Sequence, residues 1–256
     1  MFKNLYDNFA HWFHDGRGTV YFYSDPHFND PEMVHLRKNY IGDEEQIKRI
    51  NSKIGKYDTL VVLGDVGDIE WVRKIRGYKI LVMGNHDMGA TKYKRKVIKE
   101  YFHANLYTKE EVYEKMIKYF RPRDYNIGVA KEGDVWVATV DNGLFDEVYE
   151  GALMIAPNII LSHEPVEFPF ARNIHGHTHG KWDAFNMCAE FIDYTPVPLS
   201  YFVKWGFKDI PDIHREAING AIERKAKKTN KYANNSIVKV QTVEQLETIK
   251  KVLESK

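Results

Sequence analysis

Seven residues whose side chains can take up metal ions fall in five short clusters of the 256-residue chain. They are Asp25 and His27 in Asp25-Pro26-His27, and Asp65 in Gly64-Asp65-Val66-Gly67-Asp68. Asn85 follows in Gly84-Asn85-His86-Asp87, His163 after Ser162, and His177 and His179 in Gly176-His177-Thr178-His179. Imidazole suits Zn, Fe, Ni and Mn, whereas carboxylate and amide oxygens suit harder ions, so this mixed set favours transition metals over Mg²⁺ alone. The total suffices for two ions. Two divalent ions about 3.5–4 Å apart can clamp an in-line displacement at phosphorus. Singly, each cluster is weak, because Asp, Asn and Gly after a strand usually mean only a turn. The ensemble is specific. Most clusters directly follow a run of β-branched and aromatic residues, and strand ends are where open α/β sheets place ligand chemistry.

The elements that must position these clusters are legible in outline. Strands are expected over residues 19–24, 58–63 and 79–83, each ending at a cluster. The apolar run over 58–63 suits a strand covered on both faces. A helix over 44–53 presents Ile47, Ile50 and Ile54 on one face, with Asp43 and Gln46 spaced as a capping box. A short helix through Ile69, Val72 and Ile75 stops at Gly77, which suits a left-handed C-cap. This strand–helix–strand–helix–strand order argues a parallel βαβ core. Residues 88–127 are charged, and Tyr93, Val97 and Tyr101, then Val112, Met116 and Tyr119, recur at helical spacing. Surface helices that could overhang the site are expected there. Further strands are expected over 135–140, 158–161, 173–175 and 187–192, in a more antiparallel part of the sheet system. Phe2, Leu5, Tyr6, Phe9, Trp12 and Phe13 suggest a core-packed amphipathic helix over 1–15. Residues 206–256 carry none of the ligands and read as a helical C-terminal appendage to a 1–205 domain.

The wording SDPHF, LGDVGD, MGNHD, LSHEP and IHGHTHG, spread over about residues 21–199, resembles the calcineurin-like metallophosphoesterase superfamily, especially its small prokaryotic and phage phosphohydrolases. The resemblance implies an α/β fold, a four-layer α/β/β/α sandwich with two mixed sheets and the site at the strand ends. It implies that Asp25, His27, Asp65 and His179 hold one divalent ion. Asp65 then bridges to a second ion completed by Asn85, His163 and His177. The ions would be Mn, Fe, Ni or Zn, with Mn expected to serve in assays. A bridging water or hydroxide would be the nucleophile, its pKa lowered by two cations. His86 would be the general acid, Asp87 would orient or charge-stabilise it, and Asp68 would support a ligand or turn. The expected activity is hydrolysis of a phosphomonoester or phosphodiester in a phosphorylated small molecule or nucleotide. A nuclease or cyclic-nucleotide diesterase is the alternative within enzymes, and a non-catalytic scaffold the alternative outside them.

Composition narrows the field further. Lys plus Arg number 37 against 36 for Asp plus Glu, so no global field draws in nucleic acid. The basic runs at 92–96 and 224–231 read as solvated helix faces. A single Cys188 excludes an intramolecular disulfide, and it is expected to be a buried small hydrophobe. No apolar run approaches the roughly 18 residues of a membrane span, and the N-terminus lacks a signal-peptide core. A cytoplasmic protein is expected. Among the remaining histidines, His11, His14, His103 and His214 read as solvated or locally packed. His175 reads as structural, on the strand face opposite His177. His35 and Arg37 follow the first cluster in a loop that could reach a phosphate.

Overall fold

An unbroken apolar run needs cover on both faces, and the chain supplies it with a sheet on one side and helices on the other. The structure is a computed structural model and describes residues 3–4, 9–156, 159–167 and 171–205. The first half comprises β1 (Lys3–Asn4), a 3-10 helix (Phe9–Gly16), β2 (Val20–Tyr23), α1 (Met33–Leu36), α2 (Asp43–Lys53), β3 (Thr59–Val62), α3 (Ile69–Val72), β4 (Tyr78–Val82), α4 (Ala90–Tyr93) and β5 (Val97–His103). Then come α5 (Lys109–Tyr119), β6 (Asn126–Glu132), β7 (Val135–Asp141), β8 (Glu147–Tyr149), β9 (Leu153–Ala156), β10 (Ile159–Leu161) and β11 (Arg172–Ile174). A 3-10 turn (Ala189–Phe191), β12 (Val197–Pro198) and a 3-10 helix (Leu199–Trp205) follow. Among the described residues no helix is long and apolar enough to cross a membrane.

The described residues form a mixed α/β structure with three sheets. The five-stranded sheet runs β12-β2-β3-β4-β8, parallel except for β12. The four-stranded sheet runs β1-β9-β10-β11, with only the β9–β10 pair antiparallel. Because β2, β3 and β4 run parallel, the loops carrying Asp25, Asp65 and Asn85 leave the same sheet edge. β10 and β11 are parallel too, and deliver His163 and His177 together.

Packing follows the two faces of the larger sheet. On one, Phe22, Val61, Ile80 and Val82 meet Leu153, Ile155, Leu161 and Ile174 of the four-stranded sheet. Phe9, Trp12 and Phe13 close that layer, as expected for core-packed N-terminal aromatics. On the other, Tyr23, Leu60, Val62 and Leu81 cover Ile47 and Ile50 of α2 and Val72 of α3. Burying each such side chain favours folding by about 1.5–3 kcal/mol. Gln46, on the buried face of α2, accepts from the Tyr23 hydroxyl at 2.6 Å and donates to the Pro26 carbonyl at 3.3 Å, so the helix also anchors the first ligand loop.

Several expectations are corrected. Residues 97–103 are a strand, and β5-β7-β6 form a third, antiparallel sheet backed by Val112 and Met116 of α5. Val97 and Tyr101 fit helical spacing, but pairing with β7 over all seven residues decides for the strand. The N-terminal helix is replaced by β1, paired to β9, and a 3-10 helix kinked where His14 (φ 44°) and Asp15 (φ 60°) turn left-handed. Its residues Phe2, Leu5 and Tyr6 lie outside the described residues, as does the appendage at 206–256. The strand expected over 187–192 is an isolated bridge at Cys188 and a 3-10 turn. Helix α2 starts from Gly42 with no side-chain cap. Asp43 instead accepts from the Asn29 backbone at 2.7 Å and the Tyr40 hydroxyl at 2.8 Å. The basic stretch 92–96 lies only partly on a helix, α4, and Arg95 is paired with Asp141 and Asp146.

Candidate metal centre

The ligand loops are knitted backbone to backbone. Past the strand ends, Asp25 donates to the Gly64 carbonyl at 3.1 Å, His27 to Asp65 at 3.0 Å and Phe28 to Val66 at 3.0 Å. Gly176 donates to the His163 carbonyl at 2.9 Å, so the first cluster is tied to the second and the fourth to the fifth. Four of the seven expected ligands hold left-handed backbone: Asp25 (φ 54°), His27 (φ 45°), Asp65 (φ 52°) and His177 (φ 68°). Such geometry costs of order 1–3 kcal/mol per residue and clusters at functional sites. Gly84 allows the close approach of two loops. A Cβ there would lie 2.7 Å from the Asp65 nitrogen and 2.9 Å from His163 Nδ1.

All seven residues come together, in two groups. In the first, Asp25 Oδ1 lies 3.3 Å from His179 Nε2 and 3.9 Å from His27 Nε2. In the second, His163 Nε2 lies 2.8 Å from Asn85 Oδ1 and 3.1 Å from His177 Nδ1. Asp65 stands between them, its Oδ2 3.6 Å from His27 Nε2 and 3.3 Å from His163 Nε2. Asp25–His27–His179 and Asp65–His163–His177 each present donor atoms within 4.8 Å of one another.

The donors fit cations. Asp25 is fully buried, and its Oδ2 accepts from the Ser24 hydroxyl at 2.5 Å, the His177 amide at 3.0 Å and the Cys188 thiol at 3.3 Å. Its Oδ1 and the Nε2 of His27 are buried without a hydrogen-bond partner. Unsatisfied lone pairs in a dry site are costly, and a shared cation would satisfy both. His163 Nδ1 donates to the Leu63 carbonyl at 2.8 Å, which leaves Nε2 as the ligand atom facing Asp65.

The electrostatics follow. Burial alone would raise the Asp25 carboxyl, but the facing His179 imidazole and the charge of His163 hold it below the usual carboxylate range. Asp65 is also lowered, with burial opposing and His163 and the His86 amide prevailing. Burial, then the Arg37 charge, lowers His27. Burial would lower His163 too, but Asp65 and Asp25 raise it. His179 is pushed up to about 9 by Asp25 and then Glu190. A raised imidazole contributes stability that is complete below its unfolded value and lost as pH rises through the folded one. For His179 that window runs from 6.5 to about 9. Its side chain is 39% exposed, and solvent screening cuts the contribution to about 1 kcal/mol. Urea denaturation of chelator-treated protein is therefore expected to show stability falling across the window, with the fall shallower by that amount in His179→Ala.

Other expectations meet different outcomes. The His86 ring is exposed beside His27, centroids 5.6 Å apart, and its backbone amide donates to Asp65 Oδ1 at 3.0 Å. The Asp87 carboxylate does not reach for His86. It accepts from the amides of Asp65, Val66 and Gly84 at 2.9, 3.0 and 2.9 Å, fastening two ligand loops together. Asp68 supports turns as expected, capping α3 through the Glu70 amide at 3.0 Å and accepting from Asn29 Nδ2 at 3.2 Å. His35 is exposed, but Arg37 is buried and turned inward, donating to the Asp25 carbonyl at 2.7 Å. His175 is buried and pairs with Asp183 at 3.2 Å, in keeping with a structural role. Cys188 is buried, its thiol pushed up by burial, and it also supports Asp25. Sequence reasoning missed Ser24, the inward Arg37 and Glu190. For Glu190 a signal existed: it is the lone carboxylate in the apolar run Met187-Cys188-Ala189-Glu190-Phe191-Ile192.

No family model and no curated protein matches the chain. One solved structure is similar, the protein of unknown function AQ665 from Aquifex aeolicus. It shares 20% identity over 73% of this chain and 99% of that one, with a TM-score of 0.45, too distant a likeness to carry an argument.

Proposed function

We propose that the chain is a metal-dependent phosphoesterase of the calcineurin-like type, hydrolysing a phosphate ester at a binuclear centre. The observation that carries this reading is the placement of Asp65. One carboxylate oxygen lies 3.6 Å from His27 and 3.3 Å from His163, facing both donor groups at once. Asp25, His27 and His179 would hold one ion, Asn85, His163 and His177 the other, and Asp65 would serve both. The N/O donor set suits Mn, Fe, Ni or Zn. When bound, two such ions supply Lewis-acid charge to a phosphoryl group and activate water near neutral pH.

The chain's own residues do the rest. Ser24, Cys188 and the His177 amide occupy one Asp25 oxygen and leave the other free for an ion. Asp87 locks the Gly64–Val66 and Gly84 segments so that Asp65 and Asn85 keep their spacing. His86, which is exposed, would give a proton to a leaving alkoxide. The four-layer sandwich, with an outer helical layer beyond the sheet–sheet core, and a cytoplasmic location belong to the same proposal. Loading the purified protein separately with Mn²⁺, Fe²⁺, Ni²⁺ and Zn²⁺ tests it. Two ions per chain by elemental analysis and turnover in a phosphoester screen are expected. Protein that takes up no ion under any loading overturns the reading.

A further inference from the structure

Glu190 closes a ring of ionisable groups behind the first donor group. Its Oε1 accepts from His179 Nδ1 at 2.7 Å, and its Oε2 pairs with Arg37 Nε at 3.2 Å. Arg37, its side chain 2% exposed, sends Nη2 to the Asp25 carbonyl at 2.7 Å. His179 Nε2 faces Asp25 Oδ1 at 3.3 Å, which completes the circuit. We propose that Glu190 is a positioning residue that sets the tautomer and ring orientation of His179 for the ion it shares with Asp25 and His27. The inference rests on the metal-centre reading above.

The physical argument is one of choice between nitrogens. A free imidazole can carry its proton on either nitrogen and can rotate; a carboxylate at Nδ1 selects the Nδ1–H form and turns the Nε2 lone pair toward the ion. Arg37 pairs with Glu190 Oε2 at 3.2 Å and so restrains that carboxylate from swinging in as a ligand. The second donor group uses a weaker version of the device, since His163 Nδ1 donates to the neutral Leu63 carbonyl at 2.8 Å. The two sites therefore differ in what braces their histidine, and loss of Glu190 should be felt at one site only. His179, Cys188 and Glu190 also lie close enough to suggest a direct carboxylate ligand, so the test must separate bracing from ligation.

Metal-free protein titrated calorimetrically with Mn²⁺ provides that test. Wild type should take up two ions. Glu190→Ala should bind one of them about 10–100-fold more weakly and leave the other unchanged. Glu190→Gln, whose amide oxygen can still accept from Nδ1–H, should restore most of the lost affinity. In an Asn85→Ala background, which cripples the second site, adding Glu190→Ala should weaken the single remaining uptake. Equal losses for Gln and Ala would make Glu190 a ligand and overturn the proposal. So would unchanged affinities in Glu190→Ala, or both sites weakened together with a lowered melting temperature. Wild-type protein that binds no Mn²⁺, or any other ion, would instead remove the metal-centre reading itself, and this proposal with it.

Discussion

Replacing Asp65 with Asn is expected to abolish stable uptake of the metal pair and nearly all turnover while leaving the fold intact. The amide has the size of the carboxylate, and its oxygen can keep the bond from the His86 amide that Asp65 Oδ1 accepts at 3.0 Å. What it cannot supply is charge. Asp65 Oδ2 faces both donor groups, at 3.6 Å from His27 and 3.3 Å from His163, and an Asn would turn either a neutral oxygen or an N–H toward them. Two divalent cations held close together repel strongly, and a bridging anion is what offsets that repulsion. Losing several kcal/mol of charge stabilisation corresponds to a fall of about 10³-fold or more in kcat/KM. Elemental analysis after Mn²⁺ loading, alongside phosphoester turnover, reads both effects. A variant that keeps two ions per chain and wild-type rates would sink the bridging role.

Much of the candidate centre was legible because its donor residues stand where apolar runs stop. Residues 20–23, 59–62 and 78–82 are short, strongly β-forming and buried, and each hands the chain to a cluster of Asp, Asn, His and Gly. A strand end fixes position along the sheet edge to within a residue or two, so the candidate donor set follows from strand placement. What side chains do beyond that depends on contacts between distant segments. Asp87 looks like a partner for its neighbour His86, yet the left-handed turn at Asp65 brings two backbone amides to its carboxylate and Gly84 supplies a third, and these win. Arg37 follows the first ligand loop and invites a phosphate-binding role. Its real partners are Glu190, far along the chain, and the carbonyl of Asp25.

The third sheet was hidden for a different reason. Val97, Ile98, Tyr101 and Phe102 satisfy both a helical and a strand pattern, and every residue of β5 except Phe102 is exposed. With so little burial, local pattern carries little information, and the ladder with β7 settles the element. The strongly periodic Val112–Met116 stretch has no such ambiguity. It forms α5 with a Thr108–Glu111 capping box and buries both residues against Ala138 and Val140.

A His86→Asn protein is expected to keep both ions and yet lose most activity on demanding substrates. The His86 ring belongs to neither donor group; its backbone amide, which braces Asp65, survives the substitution. The ring stands exposed beside His27, where under the proposed function it would protonate the leaving oxygen of the ester. Protonating that oxygen matters in proportion to its basicity. For an alkyl phosphate the departing alkoxide is strongly basic, and losing a positioned acid should cost about 10²–10⁴-fold in kcat. For a nitrophenyl ester the leaving phenolate is stable without a proton, so the same variant should stay within about threefold of wild type. Rates for a series of esters spanning leaving-group pKa should therefore show a steeper dependence in the variant than in the wild type. Parallel lines for the two proteins, or a variant that has lost its Mn²⁺, would place His86 elsewhere in the mechanism.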